Sequence, residues 1–123
     1  NLDDFFMILE KTLSIDGKLF IAVPNFDAYE KQYFDLDWAA YDLPRHLYHF
    51  DMRTFSKLMD KYNYRIVSKS RMLLDTIYIS IISRKSTDIG FLRLLIIIFK
   101  SLLMSIYDIK YSSSILYVCE KKN

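Results

Sequence analysis

The chain has 123 residues, of which 52% are hydrophobic and 16% aromatic, with a formal net charge of +2. That length suffices for one domain with a real core, and the apolar content excludes a disordered chain. Its single cysteine, Cys119, excludes an internal disulfide and fits a reducing, cytoplasmic setting.

Residues 2–14 read as a helix. Asp3 and Asp4 stand in its first turn, where the helix dipole favours negative charge, and Phe5, Phe6, Ile8, Leu9 and Leu13 follow at helical spacing. Asp16-Gly17 marks a turn, and Lys18–Val23 is a nearly continuous apolar strand ended by Pro24-Asn25. Such a strand is usually buried on both faces, which predicts an α/β sheet. Residues 25–50 read as a long loop with one short helix near Asp27–Tyr33, and loops of that length inside a domain are usually functional. Asp51 caps a helix to about Tyr62 with Phe55, Leu58 and Met59 inward. Tyr64–Leu73 reads as a strand, Ile77–Ser83 as a helix with a strand as the alternative, and Phe91–Tyr107 as a helix. In the last strand, Ser113–Glu120, the run Ile115-Leu116-Tyr117-Val118-Cys119 argues for a central place in the sheet. There is no glycine-rich phosphate loop and no zinc-like Cys/His spacing. The start at Asn1, directly in a helix and without a signal-peptide pattern, reads as a piece of something longer.

The chemistry concentrates in the loop after the first strand, where Asp42, Arg45, His46 and His49 surround Pro44. His46 has the pKa range of a general base near neutral pH. The plainer reading is that His46 donates to a backbone carbonyl while Arg45 pairs with Asp42, which would simply fix the loop. As a metal pair, His46 and His49 lack a third ligand, so no metal is expected. Trp38 and Tyr41 offer a stacking wall for a flat or sugar-like molecule, or pack the loop onto the core. Asn25 ends the first strand.

Charge is unevenly spread. Residues 1–62 carry 7 Lys/Arg against 11 Asp/Glu, and residues 63–123 carry 10 against 4. The scattered cations argue against nucleic acid and leave an anionic membrane surface as a partner for the second half. In the helix over 91–107, Arg93, Lys100, Ser101, Ser105 and Asp108 form a polar stripe and nearly everything else is apolar. At about 25 Å it is shorter than the roughly 30 Å hydrocarbon core. Burial against the sheet, a dimer contact and peripheral membrane contact all remain open for it.

The run Leu13-Ser14-Ile15-Asp16-Gly17-Lys18-Leu19-Phe20-Ile21-Ala22-Val23-Pro24, with the helix before it, resembles part of the class I S-adenosylmethionine-dependent methyltransferases. There a helix leads into a fifth strand of the form Leu-x-x-Gly-Gly-x-Leu-x-Ile-x-x-Pro, and Asp16 replaces the first of its paired glycines. Asp42-x-Pro44-Arg45-His46-x-x-His49-Phe50 is similar to the following segment in one bacterial branch, often found beside surface-glycan and lipid-modifying genes. Asp75–Ser80 and Ser113–Val118 resemble that branch's later landmarks.

The resemblance implies an α/β fold: the C-terminal part of a Rossmann-like methyltransferase sheet, strands five, six and seven in the order 5-7-6, the last antiparallel. Residues 1–123 would then be one partial domain without the N-terminal cofactor-binding half. The parent would bind S-adenosylmethionine, whereas this chain alone would bind no cofactor and be inactive. The acceptor would be a small molecule, a glycan or a lipid-linked compound. His46 would serve as base or orienter; Trp38, Tyr41, Asp42, Arg45 and His49 would line the acceptor side; Asn25 would lie near the cofactor. The expected location is cytoplasmic, with a peripheral place at the inner membrane surface. The competing reading is a non-enzymatic binding or self-assembly module that self-associates through a bare sheet edge and the apolar helix.

Overall fold

A computed structural model describes residues 1–42 and 47–122. Its three strands, β1 (Lys18–Pro24), β2 (Tyr64–Arg71) and β3 (Ser114–Lys121), form one sheet in the order β1-β3-β2. β3 is antiparallel to both neighbours, from Lys18 opposite Glu120 to Pro24 opposite Ser114, and from Tyr64 opposite Lys121 to Arg71 opposite Ile115. β1 and β2 therefore run in the same direction with the last strand inserted between them. The central place expected from the Ile115–Cys119 run, and the antiparallel direction that the resemblance implied for the last strand, are what the sheet has.

One face of the sheet is covered by α1 (Leu2–Thr12) and α3 (Met52–Lys61). Alternate residues of β3, Ile115, Tyr117 and Cys119, point into this layer and meet Phe6, Phe55 and Met59. Phe55 stacks on Tyr117 with ring centroids 4.1 Å apart, and Phe6 on Tyr62 at 3.9 Å. Burial pushes the Tyr117 phenol up to about 12. Each such side chain contributes about 1.5–3 kcal/mol through the area it removes from water. The helix starts are set locally. Asn1 accepts from the Asp3 amide, and Asp51 and Thr54 form a reciprocal capping box whose hydrogen bonds hold the Asp51 carboxyl below its usual range.

A second apolar cluster joins Phe34, Trp38, Ile79, Leu94 and Ile97, where the loop after β1 meets α4 (Leu73–Arg84) and α5 (Phe91–Tyr107). It touches the sheet at its β3 start, where the Met72 amide donates to the Ser114 carbonyl. Three expectations change here. β1 is buried on one face only: Leu19, Ile21 and Val23 turn inward, whereas Phe20 on the other face is 64% exposed. The short helix expected near Asp27–Tyr33 is Lys31–Phe34, α2, because Asn25 first makes a turn with Ala28. Two 3-10 turns follow it, Asp35–Asp37 and Ala39–Tyr41.

The third change concerns α5. Its polar residues do not form one solvated stripe: Ser101 and Ser105 face the protein with Leu94 and Ile97, while Arg93 and Lys100 are exposed. Both hydroxyls are satisfied, Ser101 Oγ donating to the Ile97 carbonyl at 2.8 Å and Ser105 Oγ lying 2.6 Å from Ser112 Oγ.

Candidate functional site

The loop that follows β1 leaves and rejoins the sheet at one point. Asn25 bridges to Phe50, and the Phe26 amide donates to the Phe50 carbonyl at 2.9 Å. The described residues between them thereby lie beyond the C-terminal end of β1, where open α/β sheets place ligands.

Asn25 is the loop's anchor. Its Nδ2 donates to the Lys110 carbonyl at 2.6 Å and to the Ser112 carbonyl at 2.8 Å, so both amide hydrogens are used on the turn before β3. Glu30 is fully buried beside it in the fold. Its Oε1 accepts from the Trp38 indole at 3.3 Å, and no hydrogen bond within normal geometry reaches Oε2 among the described residues. Burial raises its pKa; the Ser113 hydroxyl, the backbone and the Trp38 indole oppose this more weakly.

Trp38, expected as a stacking wall, is 1% exposed and serves mainly as a base on which other rings stand. Tyr41 meets it edge-on at 5.2 Å, and His49 meets Tyr41 edge-on from the other side at 5.2 Å. Of the two aromatics, half-buried Tyr41 has surface to offer. His49 Nε2 lies 3.1 Å from the Tyr41 carbonyl. A carbonyl only accepts, so Nε2 is the donor in this contact. Arg45 and His46 lie outside the described residues.

Asp42 follows the Ala39–Tyr41 turn in the left-handed region, with φ 36°, a conformation Asp tolerates better than most residues, and its amide donates to the Ala39 carbonyl at 3.1 Å. This places Asp42 on the wall of two cavities, one on each side of the turn. The first, about 330 Å³, is lined by Ala22, Pro24, Asp42, Asp75, Tyr78 and Ser114 among others. The second, about 650 Å³, is lined by Leu36, Trp38, Tyr41, Asp42, His49 and Ser86 among others. The first has two carboxylates, Asp42 and Asp75, in its described lining, and carboxylates accept hydrogen bonds from hydroxyl groups.

The structure therefore brings Trp38, Tyr41, Asp42 and His49 together, and ties Asn25 into the scaffold beneath. Sequence reasoning missed two residues. Asp75, in the first turn of α4, stood out only as the start of a landmark segment of the resemblance, with no site role given to it. Glu30 had no sequence signal at all, being one acid in a polar stretch. Among the described residues no three His, Cys, Asp or Glu side chains converge as a metal would require. No helix among them is long and apolar enough to cross a membrane. Comparison with family models, curated proteins and solved structures gives no match.

Proposed function

We propose that this chain is the acceptor-side part of an S-adenosylmethionine-dependent methyltransferase, acting on a small-molecule, glycan or lipid-linked hydroxyl or amine. The observation that carries this reading is the strand order. A last strand inserted antiparallel between two strands that run together is the arrangement the resemblance implied, and it coexists with a site at the C-terminal end of β1.

In this reading the described residues are not the cofactor's cradle. The two glycines, Gly17 and Gly90, precede β1 and α5 rather than following a strand, and the Asn25 amide is spent on carbonyls. In this reading the cofactor is held by residues beyond this sequence, and the chain's contribution is positional. Alignment of the nucleophile supplies much of the rate in such transfers. Asp42 and Asp75 accept hydrogen bonds from the acceptor, Tyr41 offers it a ring, and His49 Nδ1 or His46 takes the proton released.

Calorimetry with S-adenosylmethionine tests the reading on two samples, this chain and the polypeptide of its complete reading frame. Binding by the longer polypeptide alone supports it. Binding by neither refutes the enzyme, and tight binding by the short chain refutes the division of labour. In the active polypeptide, His46→Ala and His49→Ala pH–rate profiles that both match the parent's would reject a histidine base.

A second reading rests on the outer edge of β1. That edge pairs with no strand among the described residues, and Phe20 beside it is exposed. A self-assembly module would use it to pair with a second copy. Sedimentation at high concentration separates the two: a chain that stays monomeric is no assembly module.

A further inference from the structure

Helix α5 turns its narrow, small-residue side to the protein and its broad apolar side outward. The inward seam is Leu94, Ile97, Ser101 and Ser105. At 100° per residue, Leu92, Leu95, Ile96, Phe99, Leu103 and Ile106 occupy an arc of about 100° on the far side. All six are exposed, Leu92 by 72% and Phe99 by 62%. Tyr107, 84% exposed, ends the same face.

The charges within the helix have one sign, while Asp88 and Asp108 stand just outside its two ends. Arg93 and Lys100 lie side by side along one border of the arc, and no Asp or Glu occurs between residues 91 and 107. Neither cation makes an ion pair among the described residues. Arg84 and Lys85, at the end of α4, add two more just before the helix, and the Arg84 guanidinium lies 6.0 Å from the Phe91 ring. A wide apolar face bordered by cations, on a helix that does not span a bilayer, matches one solvent boundary best.

We propose that α5 lies in the plane of an anionic lipid surface, its Leu/Ile/Phe arc in the acyl boundary and Arg93 and Lys100 at the phosphates. The proposal stands apart from the methyltransferase reading. A second copy is the poorer occupant. Two-fold antiparallel pairing of α5 about its midpoint, Phe99, brings the two Lys100 to the same border, offset by only about 3 Å along the axis, and the helix has no carboxylate to neutralise either. Lipid phosphates remove that conflict.

Co-sedimentation of the chain with large vesicles decides it, comparing phosphatidylcholine alone with phosphatidylcholine containing about one-third phosphatidylglycerol. Binding to the anionic vesicles is expected, at least about tenfold weaker to the neutral ones and weakened by salt. Arg93→Ala and Lys100→Ala each weaken it about fivefold. Phe99→Glu abolishes it while leaving the thermal melt unchanged, because Phe99 is exposed in the free chain. Absence of binding to anionic vesicles overturns the proposal, as does binding that Phe99→Glu leaves intact. A dimer that ignores vesicles and is dissociated by Phe99→Glu also overturns it and assigns the face to a second copy.

Discussion

Glu30→Gln should make the protein more stable, and by more as the pH rises. Glu30 is fully buried, one oxygen holds the Trp38 indole at 3.3 Å, and the other has no partner among the described residues. Burial raises its pKa from the ordinary 4.5. The folded state therefore holds this proton more tightly than the unfolded state does. Its contribution to stability is fully present below pH 4.5 and is lost as pH rises through the folded-state pKa. Within that window the loss approaches about 1.4 kcal/mol per pH unit, the free energy of one pKa unit. Glutamine is neutral throughout, and its amide oxygen can keep the indole. The two proteins should be equally stable near pH 4 and diverge above it, with glutamine ahead. Urea unfolding at successive pH values measures this, read by fluorescence of Trp38, the chain's single tryptophan and the partner of residue 30. A gap that does not change with pH, or a glutamine variant less stable at pH 7, refutes the reasoning. Either would mean that the buried carboxylate is stabilised as an anion.

Helix α5 reverses the usual effect of helix substitutions. Ser101→Leu, at a buried seam position, should cost about 1–3 kcal/mol by overpacking, whereas Leu103→Ser on the exposed face should stay within about 0.5 kcal/mol; chemical denaturation ranks them. Phe55→Ala removes the ring stacked on Tyr117 and should cost about 3–5 kcal/mol in the same assay. Asp51→Ala breaks the capping box of α3 and should cost about 1 kcal/mol, seen as a lower melting temperature. Cys119 is buried in the central strand with its thiol pushed up by burial, so a thiol reagent should modify it only in denaturant; prompt labelling of the folded chain would contradict its placement.

Much of the architecture was legible because its signals are one-dimensional. Gly90 and Asp108 bound the unbroken apolar helix Phe91–Tyr107 as expected, and the apolar run around Tyr117 announced a central strand. Orientation was less legible. The period of α5 reveals a serine-bearing side and an apolar side, but not which of them meets the protein. The small side wins because Ser101 and Ser105 allow close approach and find acceptors in the helix itself and at Ser112. For the site, the dense Asp/Arg/His loop singled out one region, and Tyr41, Asp42 and His49 lie together in it. The roles within it depend on burial, which a loop sequence does not encode. Trp38 is buried and Tyr41 is accessible, and Asp75 arrives from a helix far along the chain.

The two outer edges of the sheet were built under different rules. β2 presents Arg65, Lys69 and Arg71, and its register slips at Val67, so a foreign strand would meet charge and a local twist. Those are the devices by which proteins keep an edge from pairing. β1 has neither. It runs seven residues in unbroken register, mostly apolar, with Pro24 only at its end and Phe20 exposed beside it. A strand intended to stay at an edge in water would be expected to share the protections of β2. β1 is therefore built to be covered, and both functional readings accept this while differing in what covers it. A neighbouring strand of the same polypeptide gives an association that does not depend on concentration. A second copy gives a dimer that dissociates on dilution and that Phe20→Glu disrupts. Sedimentation over a hundredfold concentration range separates these cases without any assumption about catalysis.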